Sequence, residues 1–342
     1  MIVKSYSFEM NGKINEVYTL RNRNGLEADV LTYGGRLIRL TSPDKSGKFL
    51  DCIVGCKRPE DYYDENPYFG AIIGRYANRV GNSRFSLHGK DYALESNEGA
   101  HSLHGGVSAN FDRVVWNAKI DGEKLVLSHL SPASAGGFPG NLQVTVSYTL
   151  TDENELVIEY LGVSDEDTPC SLTHHSYFNL SGEDTILDHK LKINANKITA
   201  IDSELIAHGD YLDIEGTPYD FSHAKKIGQD IFTNEEMLRR CGGYDFNYCL
   251  NKASKSLELC AYAHDEKSGR YLECYTTLPG LQLYTGNFLE NFQGKKQYGK
   301  HAAFCLEAQN YPNALNCPSY PPTILKVGET YHEITVYKLG VK

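Results

Sequence analysis

The chain has 342 residues, 41% hydrophobic and 23% charged, a make-up that provides for a sizeable core and excludes intrinsic disorder. Its 34 Lys+Arg against 44 Asp+Glu give a formal net charge of -10 without a long block of either sign. No cationic track is available for nucleic acid or an anionic membrane surface, so neither is an expected partner. Residues 1–17 show no cationic stretch followed by an apolar one, and no window approaches about eighteen consecutive apolar residues. The nine cysteines are scattered without any Cys-x-x-Cys pair and read as reduced thiols packed as small apolar groups. A cytoplasmic protein without membrane spans is therefore expected.

In chain order, strands dominate. Short extended runs are read at 37–43 (LIRLTSP), 49–55 (FLDCIVG), 114–120 (VVWNAKI) and 124–130 (KLVLSHL). The run 142–150 (LQVTVSYTL) alternates strictly, with Leu142, Val144, Val146, Tyr148 and Leu150 on one face. The turn residues TDEN follow, and ELVIEYLGV then completes a hairpin. Further strands are read at 190–201, 257–263, 271–278, 281–288 and 332–339. The one good helical candidate is 233–241 (TNEEMLRRC), with Thr233 as its cap and a basic last turn. Alternating βα units, a Gly-x-Gly-x-x-Gly loop and a P-loop are all missing, which argues against nucleotide-binding α/β enzymes. The expectation is all-β: a large antiparallel β-sandwich with few short helices, formed by residues 1–342 as one domain.

Six segments carry polar residues that core packing does not require: 68–85, 97–106, 171–182, 242–248, 278–288 and 304–316. They offer Asn78, Arg79, His104, His174, His175, Asp245, Gln282 and Glu307, a set suited to a polyhydroxylated ligand. In the run SLTHHSYFNLSG, strand geometry sends adjacent side chains to opposite faces. His175, Tyr177 and Asn179 then share one face, and His174, Ser176 and Phe178 the other. The two histidines cannot reach one ion together, and no zinc-type spacing occurs, so no metal is expected. Glu307 is an acid inside an apolar strand, which needs a partner or a task. His175 and His104 stand between packed histidines and proton carriers, Asp245 between a turn acid and a ligand group. Arg75, Arg79 and Arg84 stand between surface ion pairs and an anion clamp.

Taken in order, GRYANRV, LHGG, THHSYFNLSG, GGYDFNY, QLYTGNF and CLEAQNYPNALN resemble the aldose 1-epimerases, also called galactose mutarotases, over essentially the whole chain. The resemblance implies a β-sandwich with an open sugar cleft on its concave face and a cofactor-free interconversion of hexose anomers. It implies His175 as general acid, Glu307 as general base and His104 as supporting catalytic histidine. It implies Asn78, Arg79, Asp245 and Gln282 as substrate-binding residues; Tyr177 joins them as a residue on the His175 face. A monosaccharide is the implied partner, with the protein a monomer or homodimer. At His174, Phe246, Ala308 and Asn313 the chain departs from the family's commoner residues, beside the expected site, which leaves the sugar preference open.

Hemiacetal opening needs a base at the C1 hydroxyl and an acid at the ring oxygen. Neighbouring Glu307 or Asp245 is expected to raise the pKa of His175 and bring the pair into working form near neutrality. Three alternatives fit the same residues. Asp245 and Glu307 could serve an inverting glycosidase, the three arginines could hold the phosphate of a hexose-6-phosphate 1-epimerase, and the cleft could bind sugar without catalysis.

Overall fold

The computed structural model describes residues 1–342. Three antiparallel sheets carry the architecture. The first has five strands in chain order, Ile2–Met10, Lys13–Arg21, Glu27–Leu31, Arg36–Pro43 and Phe49–Asp51. The second has nine, ordered Asn117–Asp121, Lys124–Ser131, Leu142–Leu150, Glu155–Ser164, Tyr331–Val341, Arg270–Thr276, Glu258–His264, Lys190–Ile193 and Lys225–Lys226. The third has five, ordered Ala207–Asp213, Ala195–Ile201, Asp245–Leu250, Gly280–Tyr284 and Cys305–Gln309.

The expected hairpin forms with Leu142 opposite Ser164 and Leu150 opposite Leu156. Its alternating residues Leu142, Val144, Val146 and Tyr148 are buried. They join one apolar core with Leu20, Val30 and Leu37 of the first sheet and Tyr248, Leu281 and Leu306 of the third. Sheet packed on sheet buries two-residue periods from both sides, which is why so many short strands suffice. Two tyrosines pin the layers through buried hydroxyls: Tyr148 donates to the Gly35 carbonyl at 2.6 Å and Tyr337 to that of Leu306 at 2.8 Å.

The helix is shorter than expected, Glu236–Cys241, and its cap is Glu235, whose carboxylate accepts the Leu238 amide at 2.8 Å. Thr233 instead donates its hydroxyl to the Asp230 carbonyl, closing a preceding turn, so the chain enters the helix later than the sequence pattern indicates. All nine cysteines are buried and unbridged. No helix is long and apolar enough to cross a membrane.

Candidate active site

The floor of the site is the three strands Asp245–Leu250, Gly280–Tyr284 and Cys305–Gln309. Their register sets Asn247 opposite Gln282 and Gln282 opposite Glu307. The two-residue period then puts Asp245, Asn247, Gln282, Glu307 and Gln309 on one face and Phe246, Tyr248, Leu281, Leu306 and Ala308 on the other, in the apolar core. The polar face satisfies itself in part. Gln282 donates to Asp245 Oδ1 at 2.7 Å, and Gln309 donates to Gln282 Oε1 at 3.2 Å and Asn247 Oδ1 at 3.3 Å. Glu307 Oε2 is buried without a hydrogen-bond partner. Burial therefore pushes the Glu307 pKa well up, the charge of Asp245 adds to this, and Arg79 opposes it.

Above the floor runs the histidine segment, held by Thr173–His174 pairing with Ile72–Ile73 and by bridges of Phe178 to Ile53 and Phe304. The two rings part as strand geometry requires. Tyr148 has one hydroxyl proton, which goes to Gly35, so His174 Nε2 must donate to Tyr148 at 3.0 Å. His174 Nδ1 then accepts from Ser176 at 2.8 Å, and the neutral ring is fully paired inside the core. His175 turns the other way, its Nε2 3.6 Å from Glu307 Oε2 and its Nδ1 3.6 Å from Cys305 Sγ. It lies between Tyr177, stacked at 5.0 Å and 13°, and Tyr68, at 5.9 Å and 21°.

The expectation that neighbouring carboxylates lift the His175 pKa is not met. Burial dominates and pulls it down to about 3, as it does for His174. The physical reason is that burial penalises the charged form of either group, lowering the imidazole pKa and raising that of Glu307.

His104 enters on a turn. Leu103 pairs with Arg79, and positive φ values at His104, Gly105 and Gly106 fold the LHGG run back. A Cβ on Gly105 would lie 2.4 Å from the Gly74 carbonyl oxygen, so the backbone passes close there and only glycine allows it. The Asn78 amide donates to His104 Nδ1 at 3.1 Å, which fixes the neutral tautomer with its proton on Nε2. Burial, with the Arg79 charge adding to it, pushes the His104 pKa well down. Ligand-type atoms of His104, His175 and Glu307 lie within 4.8 Å of one another. The trio does not suit a metal ion, because the only unshared pair of neutral His104 already accepts the Asn78 N–H.

Arg79 sits between two carboxylates. It donates through Nε and Nη2 to Glu98 at 2.5 and 2.8 Å, and its Nη1 is 4.0 Å from Asp245. Burial raises the Asp245 pKa, opposed by Arg79 and the Gln282 hydrogen bond. Seven of the sequence-derived residues thus form one contiguous buried cluster: His104, His175, Glu307, Asn78, Arg79, Asp245 and Gln282. Tyr177 sits differently. Its hydroxyl donates to the Pro67 carbonyl at 2.8 Å and its ring backs His175, so it supports the imidazole instead of reaching for a ligand.

The other two arginines do not join Arg79 as a clamp. Arg75 is buried and spends its guanidinium on the carbonyls of Ser131, Pro132, Pro139 and Gly140, while Arg84 is exposed on the strand Arg84–Leu87. The side chains at the four departures also find their partners outside this cluster. His174 is in the core, Phe246 and Ala308 occupy the apolar side of their strands, and Asn313 binds the Gly81 amide and the Ala207 carbonyl. Sequence reasoning missed Asn247 and Gln309, although both sit two residues from a chosen acid in an alternating strand. It also missed Glu98, Tyr68 and Cys305, which reach the site only through the fold.

Comparison with known proteins agrees with this architecture. Residues 16–338 match the family model for aldose 1-epimerase. The galactose mutarotase of Sus scrofa is 41% identical over 321 residues, 92% of each chain, and that of Homo sapiens is 41% identical over 324, again 92% of each. The aldose 1-epimerase of Escherichia coli K12 is 33% identical over 344 residues, 99% of each chain. Among solved structures, an aldose epimerase homologue from C. elegans superposes with a TM-score of 0.88 at 29% identity, covering 96% of this chain and 99% of that one. The galactose 1-epimerase of Lactobacillus acidophilus gives 0.87 at 26% identity, covering 100% of this chain and 98% of that one. With a family match over nearly its full length, the same sheet architecture and these relatives, the chain belongs to the aldose 1-epimerase family of enzymes.

Proposed function

We propose that this protein interconverts the α and β anomers of free hexoses such as galactose and glucose, with His175 as general acid and Glu307 as general base. The observation that carries the reading is His175 Nε2 at 3.6 Å from Glu307 Oε2, an oxygen with no structural hydrogen bond of its own. Glu307 takes the proton of the C1 hydroxyl while His175 delivers one to the ring oxygen, and the hemiacetal opens to the aldehyde. Rotation about C1–C2 presents the other carbonyl face, and closure runs the two transfers in reverse.

The proton inventory is consistent with the pKa directions. The pair would share one proton, which burial of both groups biases towards the Glu307 carboxyl. Moving it to the imidazole creates the working imidazolium and carboxylate without exchange with solvent. Sugar hydroxyls, Arg79 and the Asp245–Gln282 pair would replace the solvation that burial removed, and the Nε2–H of His104 supplies a fixed donor to developing negative charge. Asn78 holds that donor in place through its backbone. The whole chain would act as one domain, its core drawing on strands from Lys13–Arg21 to Tyr331–Val341. The unbridged buried thiols support a reducing, cytoplasmic setting.

Polarimetry of freshly dissolved α-D-galactose and α-D-glucose tests the reading. The protein should speed relaxation of optical rotation, and Glu307→Gln or His175→Asn should each cut kcat by about 10²–10⁴. The double variant should be little worse than either single one, because acid and base act as a unit. Relaxation no faster than in buffer would leave a sugar-binding protein. Turnover that survives His175→Asn would point to a carboxylic acid as proton donor, as a glycosidase requires.

A further inference from the structure

The arginine at the cleft is not a free cation. Glu98 takes both Nε and Nη2 of Arg79, the edge that would otherwise be presented as a fork to a carboxylate or phosphate. Asp245 stands 4.0 Å from the remaining Nη1. Arg79 is buried more deeply than its partner, with 12% of its side chain exposed against 38% for Glu98, so the acid closes the guanidinium from its outer side.

Glu98 is anchored. Its amide donates to the His101 carbonyl at 3.1 Å and its own carbonyl accepts the His101 amide at 2.9 Å. Asn97 beside it is tied to both backbone groups of Leu103, and His101 Nδ1 accepts the Asn82 amide. This turn leads directly into Leu103, opposite Arg79, and into His104. The countercharge is therefore held by the same backbone unit that presents His104 and Arg79. With Arg75 withdrawn into its carbonyl cage and Arg84 turned outward, two acids face the one arginine that segment 75–84 brings to the cleft.

We propose that Glu98 is a specificity-determining residue that makes the cleft refuse anionic sugars, such as hexose 6-phosphates, and accept neutral aldoses. A phosphorylated sugar would meet uncompensated carboxylate charge and find no available guanidinium fork, and like charges so placed are strongly discriminated against. The proposal rests on the anomer-interconverting reading above and names the substrate class that site selects.

The test compares anomerisation of α-D-glucose and glucose 6-phosphate by exchange NMR, for the wild-type protein and for Glu98→Gln and Glu98→Ala. The wild type should accelerate the neutral sugar and barely affect the phosphate. Both variants should raise the ratio of kcat/KM for phosphate over neutral sugar by about tenfold or more. The variant ratio should fall again with added salt, as an electrostatic cause requires. An unchanged ratio overturns the proposal, and so does a parallel loss on both sugars, which is what a mere structural anchor for Arg79 would give. Equal wild-type use of both sugars also overturns it. Wild-type failure on neutral hexoses would instead sink the function it rests on. Thermal melting of each variant separates misfolding from selectivity. Should neither variant fold, inhibition of wild-type turnover by glucose 6-phosphate decides: tight competitive inhibition refutes anion exclusion, and weak inhibition supports it.

Discussion

The buried His174 ring permits a quantitative test of how this core responds to acid. Replacing it by Phe keeps the aromatic packing against Tyr148 but removes the bonds to Tyr148 and Ser176. At pH 7.5 the variant should be less stable by about 1–3 kcal/mol, since Ser176 loses its buried partner. The pH dependence follows from the depressed pKa. His174 falls from its ordinary 6.5 to about 3 because burial penalises the imidazolium. The unfolded chain takes up that proton first, so the wild type has its full stability above about pH 6.5 and loses it as pH falls towards about 3. The slope approaches about 1.4 kcal/mol per pH unit, and the accumulated loss at pH 5 is about 2 kcal/mol. The variant has no such term. The gap between the two should therefore shrink by about 2 kcal/mol between pH 7.5 and pH 5, to at most about 1 kcal/mol. Urea unfolding followed by the fluorescence of Trp116, the single buried tryptophan, measures both proteins at each pH. A gap constant to within about 0.5 kcal/mol across this range would refute the neutral, fully paired ring.

Two further outcomes follow from the site. Glu307 has a raised pKa in the folded protein, so its contribution to stability is present at low pH and lost as pH rises through that value. Glu307→Gln cannot ionise, and its melting temperature should exceed that of the wild type by a margin that widens from pH 5 to pH 9; a flat margin contradicts the buried, unpaired carboxyl. Tyr177→Phe loses only the bond to Pro67 and should retain kcat within about fivefold, whereas Tyr177→Leu, which removes the ring behind His175, should lower kcat by about tenfold or more at similar KM. An equal loss in the two variants would show that the hydroxyl, not the stack, matters, and full activity in both would refute a role for the stack.

Much of the site was legible because strands convert sequence parity into spatial sides. The separation of His174 from His175 needed only the two-residue period; the same period puts Gln309 beside Glu307 and Asn247 beside Asp245, two residues the sequence reading passed over. The short helix starts later than its pattern indicates because the Thr233 hydroxyl can cap by accepting an amide or close a turn by donating to a carbonyl, and only the fold selects donation to Asp230. Parity puts Tyr177 on the His175 face, yet parity has no depth: it cannot say that the ring stacks behind His175 with its hydroxyl spent on Pro67.

By itself the sequence determined the sheet-rich class, the alternation that separates polar from apolar faces, and the order of the motifs that identify the family, since all of these are local or linear properties. Only the tertiary structure decided which charges meet. Glu98 finds Arg79, Cys305 finds His175, and Arg75 disappears among four carbonyls, because strand register and loop closure bring distant backbone together. The protonation state belongs to that second class. Residue type supplies an imidazole and a carboxyl with ordinary pKa values, and the depth of their burial lowers the first and raises the second.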